Sequence, residues 1–228
     1  MGKRSKEEVL KGYIKTTDFW ADFLGKEYEI VIHDVESVEK SIIYIRNNFS
    51  GRKIGGSITD LGLRILKENE YTDDEYFVNY TSKTIDGKII RSATYFIKDD
   101  DDKIIAMMCV NIDVTKAKFF SDYLQEFLIG QKVIPSYNLT SVPNKKDISE
   151  ALYDSIEDVA HHMINEALSH IAVPVNRMTL DEKKEIISEL DKKGFFLIKG
   201  SVKVVSQKLE VSETTVYRSI GSYKPNEL

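Results

Sequence analysis

Residues 202–220 read VKVVSQKLEVSETTVYRSI, and the organisation of the chain turns on how this stretch divides. Val202, Val205 and Leu209 recur at intervals of three and four, so they share one face of a short helix. Val211 follows at a turn. Ser212 offers a side-chain oxygen to cap a second helix, and Val216 and Ile220 are spaced to seat that helix against the first. Glu213, Thr214, Tyr217 and Arg218 are left facing outward. A DNA-binding helix-turn-helix needs this division: apolar residues fix the angle of the second helix, and polar residues near its N-terminal end reach base edges. Two ordinary short helices of an all-α domain have the same spacing, so the rest of the chain must discriminate. Two positions are atypical. Glu210 stands where the turn usually carries glycine, and a left-handed residue there costs about 1 kcal/mol. Ser219 stands where a second apolar residue often helps seat the helix.

The charge around this stretch favours DNA. Residues 192–224 hold seven basic side chains (Lys192, Lys193, Lys199, Lys203, Lys208, Arg218, Lys224) against Glu210 and Glu213. The local balance is +5 within a net charge of −5, which leaves −10 on the remainder. A basic end on an acidic body is compatible with phosphate binding. A solvated lysine-rich surface has the same composition.

A length of 228 residues suits one large domain or two modest ones, and 42% apolar residues can fill real cores. Cys109 is the only cysteine, so an internal disulfide and a thiol-rich zinc site are excluded and a reducing cytoplasm is expected. No stretch has membrane-spanning apolar length. The basic residues near the start precede no long apolar core, so no secretory signal is expected, and Ser5 falls one residue early for myristoylation.

Taken in order, residues 6–24 carry apolar side chains at helical spacing, with Gly25 as a stop. Residues 28–35 and 41–46 read as strands, 47–56 as a polar loop with three glycines, and Thr59-Asp60 opens a helix bearing Leu61, Ile65 and Leu66. Residues 76–113 are the clearest β segment. Asp86-Gly87 signals a two-residue hairpin with positive φ at both positions, and the aspartates 99–102 turn the chain again, giving a three-stranded antiparallel meander. That acidic run lacks the glycine and distal glutamate of an EF-hand loop, so a solvated turn is expected. Residues 115–129 form a helix with a broad apolar face: Phe119, Phe120, Tyr123, Leu124, Phe127 and Leu128. A linker is expected over 131–146. A long helix then spans about 148–171, with Asp147 and Glu150 as a capping box. Its seam of Leu152, Ile156, Val159, Met163 and Ala167 has a period of 3.5, which serves equally a second subunit or its own domain. Thr179 and Glu182 open a further helix to Leu190, Gly194 closes it, and the apolar plug 195–198 precedes the helix-turn-helix.

No enzyme constellation is found. There is no Walker-type loop, GxGxxG, GxSxG or HExxH, and the glycines 51–56 lack the required spacing. His161, His162, Glu157 and Glu166 fall to the solvated side of the long helix. His33 is a satisfied core histidine or a pocket residue, and Cys109 a core residue.

With these segments in place, the chain resembles the YheO-like family of bacterial transcriptional regulators over nearly its whole length. The resemblance rests on Ile32-His33-Asp34, then Gly51-Arg52-Lys53-Ile54-Gly55 leading to Thr59-Asp60-Leu61, then Asn79-Tyr80-Thr81-Ser82, Asp86-Gly87-Lys88, Arg91-Ser92-Ala93-Thr94 and Cys109-Val110-Asn111-Ile112-Asp113. At the C-terminal end it rests on 194–200, Val211-Ser212 and Thr215-Val216-Tyr217. It implies an α+β fold: an N-terminal PAS-like five-stranded antiparallel sheet with helices on one face, and a C-terminal all-α helix-turn-helix domain. The expected division is a sensor at 1–130, a linker at 131–146 and a DNA-binding domain at 147–228. The sequence has neither the cysteine motif of flavin photosensors nor a haem ligand, so no cofactor and no metal are expected. The expectation is a cytoplasmic, non-enzymatic regulator, a dimer or higher homo-oligomer, binding double-stranded DNA and no membrane, whose PAS-like half senses a small-molecule effector or partner. Candidate DNA-contacting residues are Ser212, Glu213, Thr214, Thr215, Tyr217, Arg218, Lys203 and Lys208. Candidate ligand-lining residues are His33, Asn79, Arg91, Thr94 and Asn111. The rival is a PAS-type module that binds a ligand or protein but no DNA and dimerises through its C-terminal helices.

Overall fold

The computed structural model describes residues 3–68, 75–130, 149–171 and 173–220. Helix α1 (Lys6–Leu24) opens on the Ser5–Glu8 capping box and ends at Gly25 in a positive-φ conformation. Strands β1 (Tyr28–Asp34) and β2 (Ile42–Arg46) follow, then helix α2 (Asp60–Glu68). The meander is β3 (Tyr76–Thr84), β4 (Ile89–Lys98) and β5 (Ile104–Asp113), and helix α3 (Thr115–Ile129) leads toward the expected linker, which lies outside the described residues.

The hairpin differs from its expected form. Gly87 alone of the Asp86-Gly87 pair has positive φ, and the Gly87 amide donates to the Thr84 carbonyl at 3.0 Å. The loop is therefore one residue longer, a turn closed by a left-handed glycine. The acidic turn between β4 and β5 is ordered by the Asp99 carboxylate, which accepts from the amides of Asp101 and Lys103. Arg4 and Lys3 reach across to Asp100 and Asp101.

The larger correction concerns residues 148–171. The segment opens not as a helix but as strand β6 (Ser149–Leu152), which lies parallel to β3. Helix α4 (Ile156–Ser169) starts only afterward, capped by Ser155 rather than by Asp147, which lies outside the described residues. Glu150 is no capping residue, being buried in the sheet. The seam stays within the chain's own core, where Val159, Met163 and Ala167 are fully buried.

Among the described residues the sheet thus has six strands in the order β2-β1-β5-β4-β3-β6, antiparallel except for the last pair. Side chains alternate between its faces, and both faces are covered rather than one. Helix α1 packs on the outer face, where Val9 and Leu10 meet Ile32, Ile97 and Ala106. The inner face presents Tyr80, Phe96 and Met107 to α2 and to the C-terminal helices. Those helices are α4, α5 (Leu180–Lys192), α6 (Ser201–Lys208) and α7 (Glu213–Ser219), and one continuous apolar cluster runs from Ile58 in front of α2 to Val216 in α7. Gly194, at the end of α5, has φ +77°, and a Cβ there would lie 2.4 Å from the Leu63 carbonyl oxygen. Only glycine lets the end of α5 approach α2 so closely. Lys67 and Asp191 pair beside this contact at 2.6 Å.

Candidate nucleic-acid interface and buried polar ladder

The α6–α7 unit forms as its apolar spacing requires. Val205, Leu209 and Val216 are buried, while Val202, Val211 and Ile220 are half-buried. Glu210 has φ +52°, so the turn takes the left-handed conformation without glycine. Ser219 is buried and its hydroxyl donates to the Thr215 carbonyl at 2.9 Å, so the small polar residue fits by bonding back onto its own helix.

Ser212 caps α7, its Oγ accepting from the Thr215 amide at 3.1 Å and sharing a hydrogen with Thr215 Oγ1 at 2.8 Å. Both hydroxyls are therefore engaged locally, and Thr215 is half-buried. Glu213, Thr214, Tyr217 and Arg218 are exposed on the outward side of α7, and Lys203 and Lys208 are exposed on α6. Of the remaining basic run, Lys192 and Lys199 are exposed. Lys193 is half-buried and holds Glu189 at 2.9 Å and Glu166 at 3.1 Å, so its charge is spent inside the chain. Lys224 lies outside the described residues. His162, expected on a solvated face, is instead half-buried against the Tyr153 ring, with centroids 5.3 Å apart.

The inner face of the sheet carries a polar ladder that crosses five strands. Arg52, only 1% exposed, pairs with Glu29 of β1 at 2.7 Å. Ser50 donates to the same carboxylate. The Asn111 amide donates to Glu29 Oε1 at 3.1 Å, and Ser92 Oγ donates to Asn111 Oδ1 at 2.8 Å. Ser82 Oγ lies 2.8 Å from Ser92 Oγ and 2.7 Å from Glu150 Oε2 in β6. A parallel rung joins Tyr80 OH, Thr94 Oγ1 and Cys109 Sγ. Burial works against the charge of Arg52, but the facing Glu29 outweighs it and raises the pKa, so Arg52 stays a cation. Burial raises the pKa of Glu150, against hydrogen bonds from Thr59 and Ser82 that lower it. Burial likewise pushes the Cys109 thiol up to about 12, with the charge of Glu150 adding to it, leaving it inert.

Of the five candidate ligand-lining residues, the structure brings Thr94 and Asn111 into this ladder. His33 is buried on the same face, its Nδ1 lying 2.8 Å from Ser41 Oγ; burial and then the nearby Arg52 hold its pKa down at about 3, so it is neutral. Asn79 sits at a bulge in β3 with φ +63°, where asparagine serves the backbone. Arg91 is exposed on the other face. Glu29, Arg52, Ser82, Ser92 and Glu150 are not among the candidate ligand-lining residues: Arg52, Ser82 and Ser92 lie in stretches that carry the family resemblance, and Glu150 is expected as a helix cap. Ser82 and Ser92 show in the sequence as polar residues at alternate positions of strands, whereas Glu29 and Arg52 read as surface residues and Glu150 as part of a helix. Among the described residues no cluster of three metal-ligating side chains occurs.

A cleft of about 560 Å³ opens where the sheet meets the C-terminal helices, lined by Val35, Val38, Ile65, Leu66, Leu197 and Lys199 among others. None of the five candidate ligand residues lines it.

A six-stranded PAS-like sheet sharing one core with a C-terminal helix-turn-helix defines a two-part protein of the PAS class. Residues 4–129 match the description "YheO-like PAS domain" and residues 159–220 the description "HTH domain". The chain belongs to the YheO-like PAS family. It is 27% identical to the uncharacterized protein YheO of Escherichia coli (strain K12), over 96% of this chain and 87% of that one. It is 25% identical to the transcriptional regulator DauR of Pseudomonas aeruginosa, over 96% and 97% of the two chains. An uncharacterized protein of Haemophilus influenzae is 27% identical, over 97% and 94%. A solved structure described as the phage VqmA-DPO complex aligns at a TM-score of 0.32 and 13% identity, covering 92% of this chain and 80% of that one. So low a score carries no argument.

Proposed function

We propose that the chain is a non-enzymatic, cytoplasmic transcription regulator that binds double-stranded DNA as a homodimer, with its PAS-like half (1–130) sensing a small molecule or a partner and its C-terminal half (147–228) reading DNA. The observation that carries this is the α6–α7 unit, which buries Val205, Leu209 and Val216 and leaves Lys203, Lys208, Glu213, Thr214, Tyr217 and Arg218 exposed. The likeness to a transcriptional regulator over nearly the whole chain supports the same reading.

Each residue has a role in it. Arg218 and Tyr217 reach base edges, since arginine pairs bidentately with guanine. Lys203 and Lys208 neutralise phosphates. Thr214 and Glu213 flank the N-terminal end of α7, and Ser212 and Thr215 hold that end in shape. The signal reaches them through β6 and α4: Asp60 of α2 accepts from the Ala151 amide at 3.1 Å, and Glu150 ties β6 to the ladder. An effector in the 560 Å³ cleft would touch α2 and the 195–197 turn together.

Selection from a random-duplex library tests the reading. The wild-type chain enriches paired half-sites about one helical turn apart or a multiple of it. Arg218→Ala relaxes one position in each half-site at a cost of about 1–3 kcal/mol. An absence of salt-sensitive DNA retention would favour the rival, a ligand- or protein-binding module without DNA.

A further inference from the structure

Helix α3 is turned inside out. Its half-buried side chains include Lys118, Ser121, Asp122 and Gln125, so its polar side is the less exposed one. No residue of the helix is buried. Its apolar side, formed by Phe119, Phe120, Tyr123, Leu124, Phe127 and Leu128, faces water; Phe127 is 74% exposed and Leu128 79%. A surface helix ordinarily does the reverse. A second aromatic group stands at the start of α3. The Asp113 amide, just before the helix, donates to the Glu27 carbonyl, just after α1. This brings the C-terminal end of α1 close, where Phe19, Trp20 and Phe23 form an exposed triad with centroids 5.2–6.3 Å apart.

We propose that two copies of this chain dimerise isologously through α3, packed antiparallel on its own copy, with the α1 triad of each copy covering the C-terminal end of the other copy's α3. Three observations select a second copy as the occupant. The nine side chains expose on the order of 1,000 Å², which reaches the roughly 800 Å² per partner of a stable interface and exceeds what a monomer ordinarily leaves in one patch. The charges are self-complementary: Lys116 near the start of α3 and Glu126 near its end are both exposed, and antiparallel pairing sets each against its opposite. The helix also lacks the excess of basic residues that a membrane-surface helix carries, since Lys116 and Lys118 are balanced by Asp122 and Glu126. The two-fold axis makes the patch cover itself. The inference deepens the dimeric reading above, from which the need for two DNA-reading units is taken, and it moves the contact away from α4, whose seam lies inside the core.

The test uses the full chain. Sedimentation velocity over a concentration series shows a dimer. Phe120→Glu combined with Phe127→Glu raises the dimer dissociation constant on the order of a hundredfold, while the circular dichroism spectrum stays that of the wild type because both residues are exposed. Phe120→Cys, near the two-fold axis, forms a covalent dimer on mild oxidation, and Tyr76→Cys, exposed on β3, does not. Cys109 is buried and adds no background. A wild-type chain that is monomeric at every concentration overturns the proposal. A dimer that survives the double substitution without a Phe120→Cys crosslink overturns it as well. The two readings fail separately. A crosslinked dimer that binds no duplex DNA removes the DNA reading and keeps the interface. A DNA-binding dimer indifferent to α3 does the opposite.

Discussion

The inner face of the sheet and the outer side of α7 are both polar, and they are polar in opposite ways. On the sheet, Glu29, Arg52, Asn111, Ser92, Ser82 and Glu150 hold one another in an unbroken chain of contacts away from water. On α6 and α7, Lys203, Lys208, Glu213, Thr214 and Tyr217 stand in solvent, and the capping hydroxyls of Ser212 and Thr215 fix only the shape beneath them. Polar groups that satisfy each other specify a structure, and polar groups turned to water can be exchanged for a ligand's. The ladder therefore reads as the device that fastens β6, and with it the helical half, to the sheet. The α7 side reads as the surface that meets DNA.

Substitutions that unpair the ladder should test this contrast most severely. Glu29→Ala leaves a buried guanidinium without its carboxylate and is expected to cost about 3–5 kcal/mol in urea unfolding. Tyr217→Ala, on the exposed side, should stay within about 0.5 kcal/mol of wild type. A Glu29→Ala protein as stable as wild type would show that Arg52 does not need its partner.

Acid should find the same region next. His33 is held neutral with a pKa of about 3 against an ordinary 6.5. The unfolded chain thus binds a proton there that the folded chain does not. Stability is fully present above pH 6.5 and is lost as the pH falls toward 3, by about 1.4 kcal/mol per pH unit from this group. The slope of unfolding free energy against pH between 4 and 6 should drop by about one proton in His33→Gln. An unchanged slope would place His33 in contact with water.

Glu150 carries the opposite sign. Its pKa is raised above the ordinary 4.5, so the folded chain holds the proton more tightly. The stability tied to that proton is present below pH 4.5 and is lost as the pH rises through the folded value. Glu150→Gln keeps an acceptor for Ser82 and should equal or exceed the wild type at neutral pH. Glu150→Ala should lose about 1–3 kcal/mol, since it leaves a buried hydroxyl short of a partner. The smallest effect is expected at the turn, where Glu210→Gly should stabilise by up to about 1 kcal/mol by relieving a left-handed residue.

The sequence discloses the two regions unequally, for physical reasons. The helix-turn-helix is local: its caps, its turn and its apolar spacing lie within residues 202–220, so a short window contains the forces that form it. Helix α1 and the meander are local in the same sense. Strand β6 is not. Asp147 and Glu150 have the spacing of a helix start, and the seam that follows continues it. What makes residues 149–152 a strand is the free edge of β3, reached from Ser82 to Glu150 across a separation of 68 residues. The ladder fails to show for the same reason, because Glu29 and Arg52 look like surface residues until the fold brings them together. Thr94 and Asn111 were recognised as polar residues within strands, but Arg91 was recognised by the same rule and alternation turns it outward. Helix α3 is the converse case. Its apolar face is plain in the sequence, and only the structure shows that the face is left exposed.

The most direct test is the salt dependence of duplex binding. Fluorescence anisotropy of the full chain on a random-sequence 30-base-pair duplex, between about 50 and 200 mM salt, should show log affinity falling linearly with log salt concentration. Lys203→Ala and Lys208→Ala should each flatten the slope by about one unit per chain and weaken all sequences alike. Binding that does not respond to salt, or a slope that both substitutions leave unchanged, would contradict the assignment of α6 and α7 as the DNA-reading surface.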